Sequence, residues 1–204
     1  MSKGEHILDA AYRVFGDKGY HTARMDDIAK AAGVAKGTLY LYFRNKEVMF
    51  QAMLTKILDD YLAVHEQIAR SERPFGEKLA ALLKHHLLFI RDRHNFVKAH
   101  MNEVLAIDAL QEKWRNSVER ERALFVRCLV EEYPFLNERD AYLCFLSFCG
   151  MSDGMVYDLC WLDDGLTDSM VEERARFAAN LLISGLEQLR TEDMSLRQVQ
   201  AERL

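Results

Sequence analysis

Lys36, Arg44 and Lys46 share an eleven-residue stretch with Tyr40, Tyr42 and Phe43, inside the run AAGVAKGTLYLYFRNKE of residues 31–47. Cations beside aromatic hydroxyls are suited to phosphate oxygens, and an outward apolar residue among them can meet a thymine methyl group. At about 100° per residue on a helix, Leu39 and Phe43 fall on one side. Lys36, Gly37, Tyr40 and Leu41 fall on another, with Thr38 and Tyr42 between them. The first pair can anchor the helix on Val14, Phe15 and Ile28. The second set then faces outward. Lys36 offers a cation to guanine or phosphate, Gly37 lets backbone approach base edges, and Leu41 suits a thymine methyl. Thr38, Tyr42 and Lys46 are placed for phosphates, contacts that position a protein without specifying sequence. A half-buried core role for Tyr40 is the plainer alternative.

The elements that must hold this stretch are helices. Ile7, Ala10, Ala11, Val14 and Phe15 recur at helical spacing, which predicts a first helix over about 4–18. Met25, Ile28, Ala29 and Ala32 predict a second over about 25–32, with Asp26 and Asp27 in its first turn and Gly33 ending it. Val34 and Ala35 are a short turn into a third helix over 36–43. Two short helices joined by a glycine-containing turn make a helix-turn-helix, whose second helix can enter the DNA major groove. Asn45 is a plausible N-cap for a fourth helix reaching about Ala69. Further helices are expected up to about Arg91, then over 95–107, 110–132, 137–162 and 168–189. The expectation is therefore an all-α chain of about nine helices. A three-helix head over 1–47 continues without a linker into a larger helical body over 48–204.

Charge separates the two parts. Net charge is −5, but residues 1–50 hold eight Lys and Arg against six Asp and Glu. The remainder holds 19 of the 27 basic and 26 of the 32 acidic residues. A mildly basic end on an acidic body suits a protein that touches an anion at one end only. Cys128, Cys144, Cys149 and Cys160 form no CxxC pair and read as small core residues. The histidines at 85, 86, 94 and 100 lack convincing ligand spacing, so neither a metal nor a cofactor is expected. No apolar run approaches the ~18 residues of a membrane helix, and the N-terminus does not read as a signal peptide, so a cytoplasmic protein is expected. No P-loop or HExxH motif occurs, which argues against an enzyme. Two rivals to DNA binding remain: a helical small-molecule-binding protein without it, and a helical enzyme.

The run MDDIAKAAGVAKGTLYLYFRNKEVMF, preceded by a helix ending FGDKGY, resembles the N-terminal signature of the TetR-type (tetracycline-repressor-like) transcriptional regulators. The resemblance covers about residues 5–50. It implies a homodimeric regulator, most often a repressor, with a DNA-binding head and a helical body that binds a small molecule. By position, Lys36, Gly37, Tyr40 and Leu41 match the groove-facing residues of that family, and Thr38, Tyr42 and Lys46 its phosphate contacts. Arg24 stands where Thr or Ser is common. Either it exchanges a helix cap for a phosphate contact, or Thr22 caps instead. Tyr42 stands where histidine is common and still offers a hydroxyl donor.

Reading a palindromic operator requires two heads about one DNA turn apart, ~34–36 Å, and hence a dimer. The last two helices are the candidates for a four-helix bundle with a partner's copies. Gly150, Gly154 and Gly185 would permit close approach, with Ala178, Leu182 and Leu189 on the same face. Alternatively these glycines admit bulky neighbours within the chain. A small apolar or amphipathic effector is expected among Phe89, Phe96, Met101, Trp114, Phe125, Phe148, Met151 and Met155, with His86 and Glu103 to orient it. Release from DNA would follow a population shift, which takes about 5.5 kcal/mol of differential affinity to move occupancy from 1:99 to 99:1.

Overall fold

The computed structural model describes residues 2–105, 107–161 and 165–201, and their side chains apart from those of 97, 98, 101–105, 160, 161 and 192–201. Among the described residues eight helices follow one another: α1 (Lys3–Lys18), α2 (Met25–Ala31), α3 (Lys36–Tyr42), α4 (Lys46–Ala69), α5 (Phe75–Leu105), α6 (Asp108–Glu132), α7 (Glu138–Trp161) and α8 (Asp168–Ala201). No strand occurs among the described residues.

Local chemistry starts and stops the first four helices. Ser2 caps α1 by accepting the Glu5 N–H, while the Glu5 carboxylate accepts the Ser2 N–H at 2.6 Å, a reciprocal capping box. Asp27 plays the second of these parts for α2, accepting the Arg24 N–H at 3.1 Å. Gly33 follows α2 with φ of 62°, a left-handed turn that an L side chain would strain. Asn45 starts α4 by accepting the Val48 N–H at 2.8 Å.

The chain forms two compact units, Met1–Ala63 with Arg93–Ser117, and Val64–Asp92 with Val118–Leu204. In the first, Ile7, Phe15, Ile28, Leu39, Met49, Phe50 and Met53 close a core that also takes in Phe96 and Leu110. Rings dominate its centre: Phe15 meets Phe50 edge-on at 5.2 Å, and Tyr12 stacks on Phe96 at 4.7 Å. In the second unit, Phe75, Leu79, Phe125, Leu129, Tyr133, Phe145 and Leu186 form the main cluster. Smaller clusters gather around Leu87, Leu159 and Val171, and around Leu83, Ala175 and Ala178.

Two departures from the expected helices have physical reasons. A break near residues 91–95 does not occur, and α5 runs through it as one helix. The polar run Arg91–Asn95 contains no glycine or proline to stop it. The interruption falls instead at His100, whose φ of −127° and ψ of 16° leave helical geometry. That merger accounts for eight helices rather than nine. The second departure is α8, which continues to Ala201 through a polar tail rich in helix formers.

Candidate nucleic-acid interface

Helices α2 and α3 are joined by a turn in which the Val34 N–H donates to the Ala29 carbonyl at 3.0 Å. Leu39 is fully buried and Phe43 nearly so, and these two pin α3 to the first core. The opposite face is open. Leu41 is 86% exposed, and Tyr40 and Tyr42 remain nearly half exposed on the same short helix. Gly37 is exposed, and a Cβ built there would find no heavy atom of the described residues within 4 Å. Thr38 is half-buried. Tyr40 is therefore a surface side chain in this fold, not a core one.

Charge is arranged around this face. The Lys36 ammonium lies 2.7 Å and 3.0 Å from the two carboxylate oxygens of Asp26, with both side chains mostly in solvent. That pairing raises the Lys36 pKa above its ordinary value, chiefly through the hydrogen bond. An exposed pair of this kind is weak and a phosphate can replace the carboxylate. Arg24, not Thr22, is the N-cap residue of α2, and its exposed side chain makes no capping bond. The Tyr42 ring packs at 3.5 Å from the position of a Cβ built on Gly4, so the start of α1 flanks α3.

Lys46, expected at a phosphate, has backbone partners in this fold. Its ammonium donates to the carbonyls of Tyr20, His21 and Ala23 at 2.7, 3.1 and 3.2 Å, and sits 4.6 Å over the Tyr20 ring. An ammonium has three N–H donors, and each has a carbonyl here. In this fold Lys46 ties α4 to the connector between α1 and α2.

The expected effector residues separate. Phe89, Phe125, Phe148, Met151, Met155 and His86 all belong to the second unit. Phe125 meets Phe145 and Phe148 at 5.4 Å each. Near them several titratable groups from α4, α5, α6 and α7 converge. His65 Nδ1 is 2.9 Å from Glu121 Oε1, and the His65 and His85 rings meet edge to face at 5.1 Å. Burial, with the nearby charge of His65, lowers the His86 pKa to about 4 against weaker opposition from Asp153 and Glu121. Burial likewise raises the Cys149 thiol to about 11, helped by the same two carboxylates. No cluster of three potential metal ligands forms among the described residues. Phe96 and Trp114 lie elsewhere, in the first unit. Phe96 is spent on that core, stacked on His100 at 4.4 Å, while Trp114 lies half-exposed beside Tyr61. The side chains of Met101 and Glu103 lie outside the described residues.

The expected dimer face is also redrawn. Among the described residues, Gly150, Gly154 and Gly185 have no atom within 4 Å of a built Cβ, so no described bulky neighbour accounts for them. Ala178 is buried in a core cluster and Leu182 packs against another. The exposed apolar stripe runs through Phe177 (67% exposed) and Leu181 (57%), each one residue before an expected position, and through the expected Leu189, and on α7 through Leu143, Leu146 and Tyr157. Between α7 and α8 lies an open groove of about 370 Å³, lined by Met151, Met155, Asp158, Arg174, Phe177 and Leu181 among others.

Comparison with known proteins fits this geometry. Residues 7–53 match the family model described as bacterial regulatory proteins, tetR family. The fatty acid metabolism regulator protein of Bacillus subtilis is 36% identical over 89 residues, 44% of this chain and 46% of that protein. The alignments with the first curated relatives span only about half of those proteins' lengths. Solved structures match further along the chain. A TetR/AcrR-family regulator from Thermobifida fusca has a TM-score of 0.68 at 25% identity, covering 87% of this chain and 96% of that one. FadR from Bacillus subtilis, solved in complex with stearoyl-CoA, has a TM-score of 0.65 at 25% identity, covering 89% and 98%.

Proposed function

We propose that the chain is a ligand-responsive transcriptional regulator of the TetR type, a repressor, that binds a palindromic operator as a dimer. The observation that carries this reading is α3. This helix buries Leu39 and leaves Leu41 almost wholly in water, an outward apolar side chain on a face that also carries cations and hydroxyls. With Lys36, Gly37 and Tyr40 beside it, that face suits base edges, and Thr38, Tyr42 and Arg24 lie where phosphates would run. Residues 1–47 act as the reading head in this proposal, and 48–204 as the part that holds the effector and the partner. The dimer forms through the α7 and α8 stripe of Phe177, Leu181 and Tyr157, with Gly150, Gly154 and Gly185 allowing close helix approach. The effector is an acyl thioester, the class to which the stearoyl-CoA bound by FadR belongs. Its chain would lie among Phe89, Phe125, Phe148, Met151 and Met155, and His86, held neutral, would donate to or accept from its polar end. Effector binding would favour a head separation that no longer matches successive grooves.

Selection of bound duplexes from a random pool tests the reading. A palindrome with half-sites one turn apart is expected, and stearoyl-CoA should release it. Failure to enrich any duplex in dilute buffer would refute DNA binding. Enrichment without release by stearoyl-CoA would refute the effector class alone.

A further inference from the structure

Tyr20 is held from both sides of its own peptide. Its carbonyl accepts from the Lys46 ammonium of α4 at 2.7 Å, and its N–H donates to His100 Nε2 of α5 at 3.1 Å. His100 is 99% buried and lies where α5 leaves helical geometry. Its ring is stacked on Phe96 and lies 5.9 Å from Phe50. Its other nitrogen, Nδ1, is 2.9 Å from the Phe96 carbonyl. These two partners fix the imidazole. A carbonyl can only accept, so Nδ1 carries the proton. A peptide N–H can only donate, so Nε2 is bare. The two partners thus hold the ring in one tautomer.

A leucine or phenylalanine would fill the same apolar space. What they would lack is the acceptor for a peptide N–H eighty residues earlier in the chain. That N–H belongs to the connector leading into Arg24, the N-cap of α2, and α2 carries the turn into α3. We infer that His100 is a positioning residue for DNA recognition: its bare Nε2 holds the Tyr20 peptide, opposite Lys46, and so sets the presentation of α2 and α3. This inference rests on the DNA-binding reading above and adds to it a residue outside the head's own sequence.

The full-length protein and its His100→Gln, His100→Phe and His100→Leu variants test this against an operator obtained by selection. Glutamine keeps a side-chain acceptor, whereas phenylalanine and leucine keep only bulk. Operator affinity is measured where each variant is fully folded, and Tyr20 amide exchange is followed in the absence of DNA. His100→Phe and His100→Leu should lose about tenfold in affinity, the scale of one missing hydrogen bond, and the Tyr20 amide should exchange faster. His100→Gln should restore most of both. A purely packing role moves stability in all three but leaves folded-state affinity unchanged, and that result overturns the inference. So does a His100→Gln protein as impaired as His100→Leu. Should the two apolar variants fail to fold, His100→Gln decides alone: it must protect the Tyr20 amide and bind like the wild type, or the inference fails. If the wild type itself enriches no duplex, the DNA-binding reading fails and takes this inference with it, a result distinct from any variant's behaviour.

Discussion

Replacing Lys46 by methionine separates two uses of one lysine. In the structure its ammonium satisfies three backbone carbonyls, at 2.7, 3.1 and 3.2 Å. Hydrogen bonds from a charged donor contribute about 1.5–3 kcal/mol each. The His21 carbonyl is exposed and would recover water, while those of Tyr20 and Ala23 are partly buried and would recover it incompletely. Counting chiefly these two gives a destabilisation of about 3 kcal/mol, to which loss of the cation over the Tyr20 ring adds about 0.5 kcal/mol. A surface lysine that served only phosphate would change stability by no more than about 0.5 kcal/mol. Urea unfolding followed by tryptophan fluorescence provides the measurement, since Trp114 lies in the same unit as Lys46. Operator binding as a function of salt provides the complement. Removing one phosphate contact should lower the slope of log K against log salt by about 0.9, whereas removing a structural lysine should leave it unchanged in folded protein. A Lys46→Met protein of wild-type stability with a slope reduced by one contact would refute the structural assignment.

Three other expectations follow from the geometry. Gly37→Ala meets no atom of the described residues within 4 Å, so it should stabilise α3 by about 0.5–1 kcal/mol while weakening operator binding where backbone must approach bases; unchanged affinity would remove Gly37 from the interface. Phe177→Asp with Leu181→Asp should yield a folded monomer in sedimentation, because both side chains already face water in the single chain; a persisting dimer would place the interface elsewhere. His86, with a folded-state pKa of about 4 against an ordinary 6.5, refuses a proton that the unfolded chain accepts between those values. Stability should therefore fall as pH drops through that window, with a share of about 2 kcal/mol lost by pH 5 that His86→Gln does not lose. Urea midpoints at pH 7 and pH 5 check it, and an identical drop in both proteins would show that His86 is not responsible.

How much of this was legible in residues alone depended on whether one periodicity decided the matter. In α3 it did: Leu39 inside and Leu41 outside follow from 100° steps, and few other arrangements bury only one large residue of seven. Gly33 and Asn45 marked helix ends by chemistry that acts locally. In α8 two apolar stripes interleave. Val171, Ala175 and Ala178 turn inward while Phe177, Leu181 and Leu189 turn outward, and spacing cannot say which stripe meets the chain's own core. For that reason spacing does not separate Ala178, which is buried, and Leu182, which is partly so, from the outward row. Phe96 looked like a pocket residue because an aromatic on an apolar stripe carries no label for the cavity or core it fills. Lys46 and His100 were beyond reach for another reason. Their partners are backbone groups of residues 20–23, distant in sequence and invisible in side-chain type.

The outward aromatic and leucine rows of α7 and α8 bear on how such a protein responds to its own abundance. If one copy alone cannot span both halves of a palindrome, site occupancy in the dilute regime grows with the square of the number of copies rather than in proportion to it. Modest changes in synthesis or turnover would then swing the controlled gene between open and shut more sharply than a solitary reader could.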